Sequence, residues 1–379
     1  MLTRKEVHHL VVEKILQLRP KTVAALRLIS RLYNDELVGS SDVRDVYFLL
    51  PDLHLLTKAT ETGYRYGFLK VQPGISVRRD LILAHLCEAM LAVWNALPSG
   101  QHVQTVQLGD FVDLWREAEA GQSDAMVMNR ILTDHPTVER QLVKRSGAQT
   151  LAAHILTGNH DAKSGKTLPF ARRSLKFGPA NQETLLATHG DAFDPTELLL
   201  PDKLTEQMVE WFGPLASAGS HQLDRTVESQ PGGLEGVQGH GPVVIDTADD
   251  SDCLQDWVNV WQVRSPGEAD SKQAHELLPI AKTMADKVRR GKAKGALGLD
   301  GEMPLLRTIV IGHSHTPRLV VARGNDGAAD LVLADCGAWI ENSRFGSTNV
   351  PSCHFGVLVG GDLRIYQLDP APGLVGPDA

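Results

Sequence analysis

No run of apolar residues approaches the roughly 18 that a membrane span requires. The start, MLTRKEVHHL, also lacks the charged-then-apolar layout of a secretory signal. The expectation is a cytoplasmic protein without a transmembrane segment. Cysteine is scarce: Cys87, Cys253, Cys336 and Cys353 are scattered with no C-x-x-C pair, so neither a disulfide framework nor a zinc knuckle is implied. An excess of basic residues is also missing, since Lys and Arg number 38 against 46 Asp and Glu, a net charge of −8. The imbalance is local. Between Glu197 and Pro304 stand 10 basic and 18 acidic residues, which leaves 28 of each sign elsewhere. An acidic insert on a neutral body does not make the basic stripe that tracks a phosphate backbone, so duplex nucleic acid is not an expected partner. What remains is the balance of a globular protein, 379 residues with 42% hydrophobic and 22% charged. Single cores stop growing at about 250–300 residues, so the length admits one large domain with insertions or two medium ones.

Residues 3–34 read as two helices. Thr3-x-x-Glu6 is a capping box, Val7, Leu10, Val11, Ile15 and Leu18 share one face, Pro20 ends the run, and a second amphipathic stretch follows from Val23 to Leu32. Residues 1–44 are therefore expected to be an N-terminal helical extension that packs on the main domain, with a homo-oligomer surface as the alternative. From residue 45 short apolar runs appear: Val46–Leu50, Val103–Leu108, Leu151–Leu156, Leu185–Thr188 and Thr308–Ile311. Each is β-branched or leucine-rich and closed by Gly, Asp or Asn, as buried strands are. Helical stretches at Asp80 to Leu97 and Ser123 to Arg145 separate them, so the class is layered α/β. Leu319–Ala322, Leu331–Ala334, Phe355–Val359 and Leu363–Leu368 read as antiparallel strands completing a second sheet. Residues 195–304 leave this pattern and read as an insert or cap of loops and helix, with Ile280, Met284 and Val288 on one stripe near its end. The main domain spans 45–368, and 369–379 reads as a disordered tail.

Five polar clusters close the apolar runs: Asp52-Leu53-His54, Gly109-Asp110-Phe111-Val112-Asp113, Gly158-Asn159-His160-Asp161, His189-Gly190-Asp191, and Gly312-His313-Ser314-His315. Strand ends in layered α/β proteins are where sites assemble. Asp, Asn and His bind divalent metals, and two ions about 3.5–4 Å apart need a shared carboxylate plus further ligands on each. Taken singly, each cluster has a plainer reading; a lone G-D-x-x-D is most often a turn.

In order, with separations of 58 (Asp52 to Asp110), 49 (Asp110 to Asn159), 30 (Asn159 to His189) and 124 (His189 to His313), the clusters resemble the calcineurin-like metallophosphoesterase superfamily over residues 45–368. The resemblance implies a four-layer αββα sandwich and a two-metal hydrolytic site. It makes Asp52, His54 and His315 ligands of one metal, Asp110 the bridge, and Asn159, His189 and His313 ligands of the other. Asn159 would also reach a phosphoryl oxygen. His160 would be the general acid rather than a ligand, and Asp113 would orient its imidazole. Asp161 would support the same cluster. Manganese is the implied metal, with iron or zinc also suited to these ligands. The implied reaction is hydrolysis of a phosphomonoester, phosphodiester or pyrophosphate by in-line attack of a hydroxide held between the ions.

Leu114 and Trp115 follow the second cluster where Ser/Thr protein phosphatases carry Arg, which disfavours that branch. Pro51 to Leu55, Gly109 to Trp115, His189 to Asp191 and Gly312 to Pro317 are similar to the bacterial branch containing UDP-2,3-diacylglucosamine pyrophosphohydrolases. That branch carries Arg where His160 stands and has a compact apolar cap, so the reading stops at a phosphoesterase acting on a small phosphorylated substrate. A nuclease is the alternative within catalysis, and a non-catalytic, metal-stabilised scaffold is the alternative outside it. Lys163, Arg172 and Arg173, with Lys287, Arg290 and Lys294 in the insert, are either substrate contacts or, more simply, solvated charges. Trp115 is either a stacking platform or a core residue. The remaining histidines are read as packed or surface residues.

Overall fold

A computed structural model of the chain describes all residues except 19–20, 34–43, 64–67, 73–74, 118–121, 144–151, 162–171, 179–181, 192–244, 247–259, 264–281, 283–284, 294–296, 300, 314–316, 324–328, 341–352 and 377–379. In chain order the first half comprises α1 (Arg4–Leu18), β1 (Val23–Tyr33), β2 (Asp45–Leu50), α2 (Lys58–Gly63), β3 (Lys70–Gln72), β4 (Ile75–Val77), α3 (Arg79–Ala96), β5 (His102–Gln107), α4 (Leu114–Glu117), α5 (Asp124–Asp134), α6 (Pro136–Val138) and β6 (Ala152–Ile155). There follow β7 (Ser174–Phe177), β8 (Leu185–Thr188), β9 (Ile245–Asp246), β10 (Val260–Val263), β11 (Thr308–Ile311), β12 (Arg318–Arg323), β13 (Ala329–Asp335), β14 (His354–Val359), β15 (Asp362–Pro370) and β16 (Val375–Gly376).

The strands form two large mixed sheets and a small one. The first has seven strands in the order β6-β5-β2-β14-β15-β1-β9, the second six in the order β10-β12-β13-β11-β8-β7, and the third three in the order β16-β4-β3. Strands β2, β5 and β6 run parallel in the first sheet, as do β8, β11 and β13 in the second. Successive side chains on a strand point to opposite faces, and β2 shows the result. Val46, Phe48 and Leu50 join the core beneath α1, α3 and α5, whereas Tyr47 and Leu49 meet Val310, Leu319 and Val332 of the second sheet. The two large sheets thus share one apolar layer, and helices cover the outer face of the larger. None of the described helices is long and apolar enough to cross a membrane.

The five apolar runs are strands, and Asp80 to Leu97 is α3 within a residue. The capping box is made: Thr3 N donates to Glu6 Oε2 at 2.7 Å, and Glu6 N donates to Thr3 Oγ1. The helix read from Ser123 to Arg145 breaks at His135, where Pro136 starts a new turn.

Three expectations need correction. Val23 to Leu32 is strand β1, not a second helix, and it lies inside the seven-stranded sheet between β15 and β9. The N-terminal region is therefore integral to the domain rather than an extension of helices, and the apolar stripe of α1 (Val7, Val11, Ile15) is spent in the chain's own core. The four closing strands also do not share one sheet. β12 and β13 belong to the second, while β14 and β15 complete the first by antiparallel pairing with β2 and β1. Finally, 369–376 is not a disordered tail, because β16 pairs with Val77 and Ser76 and Ala371 N donates to Thr22 O. Of the insert 195–304, β9 and β10 attach to the edges of the two sheets, and Val288 is buried in a helical turn at 285–289. Ile280 and Met284 lie outside the described residues.

Candidate metal centre

All five polar clusters follow the C-terminal ends of parallel strands: β2, β5 and β6 in one sheet, β8 and β11 in the other. Facing sheets with aligned strand ends bring the clusters together. Leu53 N and His54 N both donate to Asp110 O, at 3.0 and 2.8 Å, and Gly312 N donates to His189 O at 2.9 Å. The loops turn sharply enough that His54, Asp110 and His313 adopt left-handed backbone with φ of +46°, +48° and +64°. Such strain is uncommon outside glycine and clusters at functional sites. Two glycines are required by close approach. A Cβ on Gly158 would stand 2.1 Å from Asp110 Oδ1, and one on Gly312 would stand 2.1 Å from Asp52 Oδ1.

Asp110 sits at the middle, 1% exposed. Its Oδ1 accepts the backbone N–H of His160 at 3.0 Å. Its Oδ2 faces His189 Nε2 at 3.2 Å and His54 Nε2 at 3.5 Å. Asp52 Oδ2 accepts the N–H of His313 at 2.9 Å, and its Oδ1 is 3.6 Å from His189 Nδ1. His189 Nδ1 also lies 3.1 Å from Leu108 O, and its Nε2 lies 3.0 Å from Asn159 Oδ1 and 3.2 Å from His313 Nδ1. Asp113 Oδ1 is 3.2 Å from His160 Nδ1. Asp161 is a clasp: Oδ1 accepts from Gly158 N at 2.6 Å and Oδ2 from Phe111 N at 2.8 Å, fastening the third cluster to the second.

The charges respond to this crowding. Burial acts to raise the Asp110 carboxyl, but the adjacent His189, His160 and His54 hold it well below the usual carboxylate range. His189 is the mirror case: burial acts to lower it, and Asp110 and Asp52 outweigh that, raising it to about 9. Asp161 is pushed up to about 7 by burial and by Asp110, against its two N–H donors.

Among the described residues, two groups of buried side chains offer ligand atoms within 4.8 Å of one another, Asp52/Asp110/His189 and His54/Asp110/His160, and Asp110 belongs to both. The donor set of carboxylate oxygens and imidazole nitrogens suits divalent cations. Asp110 Oδ2 is a buried anionic oxygen held by the charge of His189 and His54 rather than by an aligned hydrogen bond, an arrangement in which a cation can take the imidazolium's place. The residues therefore fit a metal, with number and identity open.

Asp52, His54, Asp110, Asp113, Asn159, His160, His189 and His313 all come together, with Asn159 half-buried and the rest buried. His160 falls inside one of the two ligand groups instead of standing apart from them. His315, Lys163 and Lys294 lie outside the described residues, as do the side chain of Trp115 and the middle of the insert. Arg172 is exposed, and Arg173 pairs with Asp191 at 3.1 Å beside His189. Of the remaining histidines, His8, His85, His135 and His354 are buried in the fold. Cys87, Cys336 and Cys353 are buried thiols without disulfides. Sequence reading passed over the segment 335–339. Ala338 bridges Asp52, Trp339 N donates to Asp52 O at 2.8 Å, and Cys336 N donates to Ile311 O. Asp335-Cys336-Gly337 closes parallel strand β13 with the same Asp and Gly punctuation as the other clusters, and that signal could have found it.

No family model matches the chain, and no curated protein matches it.

Proposed function

We propose that this chain is a dinuclear-metal-dependent phosphoesterase, with the fold completed as the four-layer αββα sandwich of the calcineurin-like type. The observation that carries the reading is the shared carboxylate: Asp110 belongs to both buried ligand groups, as a bridge between two cations must. Asp52, His54, Asp110, Asn159, His189 and His313 would hold the ions, with His315 joining them. When bound, two divalent cations supply Lewis acidity, bringing the pKa of a water near neutral and offsetting charge on phosphoryl oxygens.

The chain's own groups then divide the remaining work. The half-buried Asn159 would orient a phosphoryl oxygen with its amide. His160, held at Nδ1 by Asp113, presents Nε2 to protonate a departing alkoxide. Burial excludes bulk water and strengthens each of these interactions.

Hydrolysis of p-nitrophenyl phosphate and of its bis ester with added manganese tests the reading and separates monoester from diester preference. Asp110→Asn is expected to lose bound metal and turnover together, measured by elemental analysis and initial rates. His160→Ala is expected to keep metal and lose turnover by roughly 10²–10⁴-fold, most for poor leaving groups. Full metal loading without turnover of either ester would instead favour a metal-stabilised scaffold.

A further inference from the structure

Strand β5 ends at Gln107, a polar residue that is only 1% exposed. Its backbone is spent in the sheet, paired with Leu50 on one side and Ile155 on the other. Its side chain serves the turn that follows. Leu108 N still donates to Leu50 O at 2.8 Å, but Gly109, at φ +103°, lies past the end of the ladder. The Gln107 amide folds forward and takes both backbone groups of that glycine. Nε2 donates to Gly109 O at 2.6 Å, and Gly109 N donates to Oε1 at 3.1 Å. Closing such a pair takes a donor and an acceptor on one side chain, which a carboxamide has and a carboxylate or an apolar chain does not. Each bond fixes a peptide plane that aims a residue of the candidate centre. The plane of Gly109 N also carries Leu108 O, which lies 3.1 Å from His189 Nδ1. The plane of Gly109 O leads into Asp110, whose Oδ2 lies 3.2 Å from His189 Nε2. The glycine itself seats against the ring, since a Cβ there would stand 2.6 Å from His189 Cβ.

We propose that Gln107 is a positioning residue for the metal centre: its amide clamps the turn Leu108–Gly109–Asp110 so that the shared carboxylate is held against His189. Without the clamp, a buried N–H and a buried C=O at Gly109 would have to find other partners, and the turn would shift to reach them. Asp110 would move with it. The metal-binding consequence rests on the dinuclear-site reading, whereas the placement of Asp110 against His189 does not.

The test uses the full chain. Gln107→Met keeps the length of the side chain and removes donor and acceptor, while Gln107→Glu keeps the acceptor and sets an oxygen against Gly109 O. Gln104→Met is the control, on the same strand but with its amide on Asp45. Calorimetric titration of the folded proteins with manganese chloride is expected to give about 10–100-fold weaker binding for both Gln107 variants, as loss of a supporting contact typically does, and no change for the control. A role in stability alone would lower the urea midpoint in chelator and leave the affinity of the folded protein in place, and that result would overturn the proposal. A crystal structure of chelated Gln107→Met is expected to show Asp110 Oδ2 withdrawn from His189 Nε2; an unmoved contact would also overturn it. If the wild type binds no manganese, the metal reading fails and this chelated structure decides the proposal alone. If circular dichroism shows both variants unfolded, hydrogen exchange at the Gly109 amide of the chelated wild type decides: slow exchange supports the clamp, and exchange as fast as in an open loop sinks it.

Discussion

At the level of single residues, the centre is defined as much by side chains that are missing as by those present. Gly158 and Gly312 let two carboxylates fold back against the chain, at distances where any Cβ would collide with Asp110 or Asp52. If the centre holds a divalent metal as proposed, Gly158→Ala and Gly312→Ala should each weaken its binding at least as much as loss of a supporting contact, roughly 10-fold or more. Neither should unfold the protein. Gly373→Ala, where nothing lies within 4 Å, should leave binding intact. Calorimetric titration of the three variants checks this. The glycines were legible in sequence as companions of the ligands. The lacing of the first cluster to the second was not, because Leu53, His54 and Leu55 take backbone partners in Asp110, Phe111 and Val112, far away in the chain.

Among the secondary-structure elements, the strands that feed the centre were readable because a strand buried on both faces is a short apolar run stopped by a turn residue. β1 was not readable. Its leucines alternate with Arg27 and Arg31 in a way that suits a helical stripe as well as a strand, and alanine, leucine and arginine all favour helix. Its partner decides the matter and is remote: Arg27 pairs in register with Gln367 and forms an ion pair with Asp369. The division of β12 to β15 between two sheets was hidden for the same reason, since local pattern specifies a strand but not its neighbour. The alternation of a strand turns the consecutive Leu28 and Ile29 into different cores, one beneath α1 and one between the sheets. Leu28→Ala should cost about 2–5 kcal/mol and Ile29→Val about 0.5–1.5 kcal/mol. The two effects should add in urea unfolding, because the side chains belong to separate cores. Strong coupling between them would contradict their burial in separate cores.

Taken whole, the protein buries histidines that have nothing to do with the candidate centre, and this gives its stability a direction in pH. His8, on the buried face of α1, lies among Asp362, Arg364, Arg31 and Tyr366; burial, with Arg364 and Arg31, outweighs Asp362 and depresses it to about 3. Burial depresses His354 to about 3 as well, against the Ala338 carbonyl. In the unfolded chain these imidazoles take up protons near pH 6.5, whereas in the folded chain they do not until about pH 3, so acid favours unfolding throughout that interval. Each contributes up to about 1.4 kcal/mol of loss per pH unit. Asp362, held below its ordinary value despite burial by His8 and Arg364, adds a further loss below about pH 4. Urea midpoints measured in chelator from pH 6 to 4.5 should fall, because the two buried histidines together outweigh the opposing gain from Asp161, whose raised carboxyl takes up its proton on folding; a rising profile would contradict the burial of these rings.

Asp52, His54 and Asp110 hang from the larger sheet, while His189 and His313 hang from the smaller. Any ion that settles among them is a rivet through the seam of the molecule. Stripping it should let amide exchange quicken at the tips of both layers at once, while the ladders behind them keep their protection.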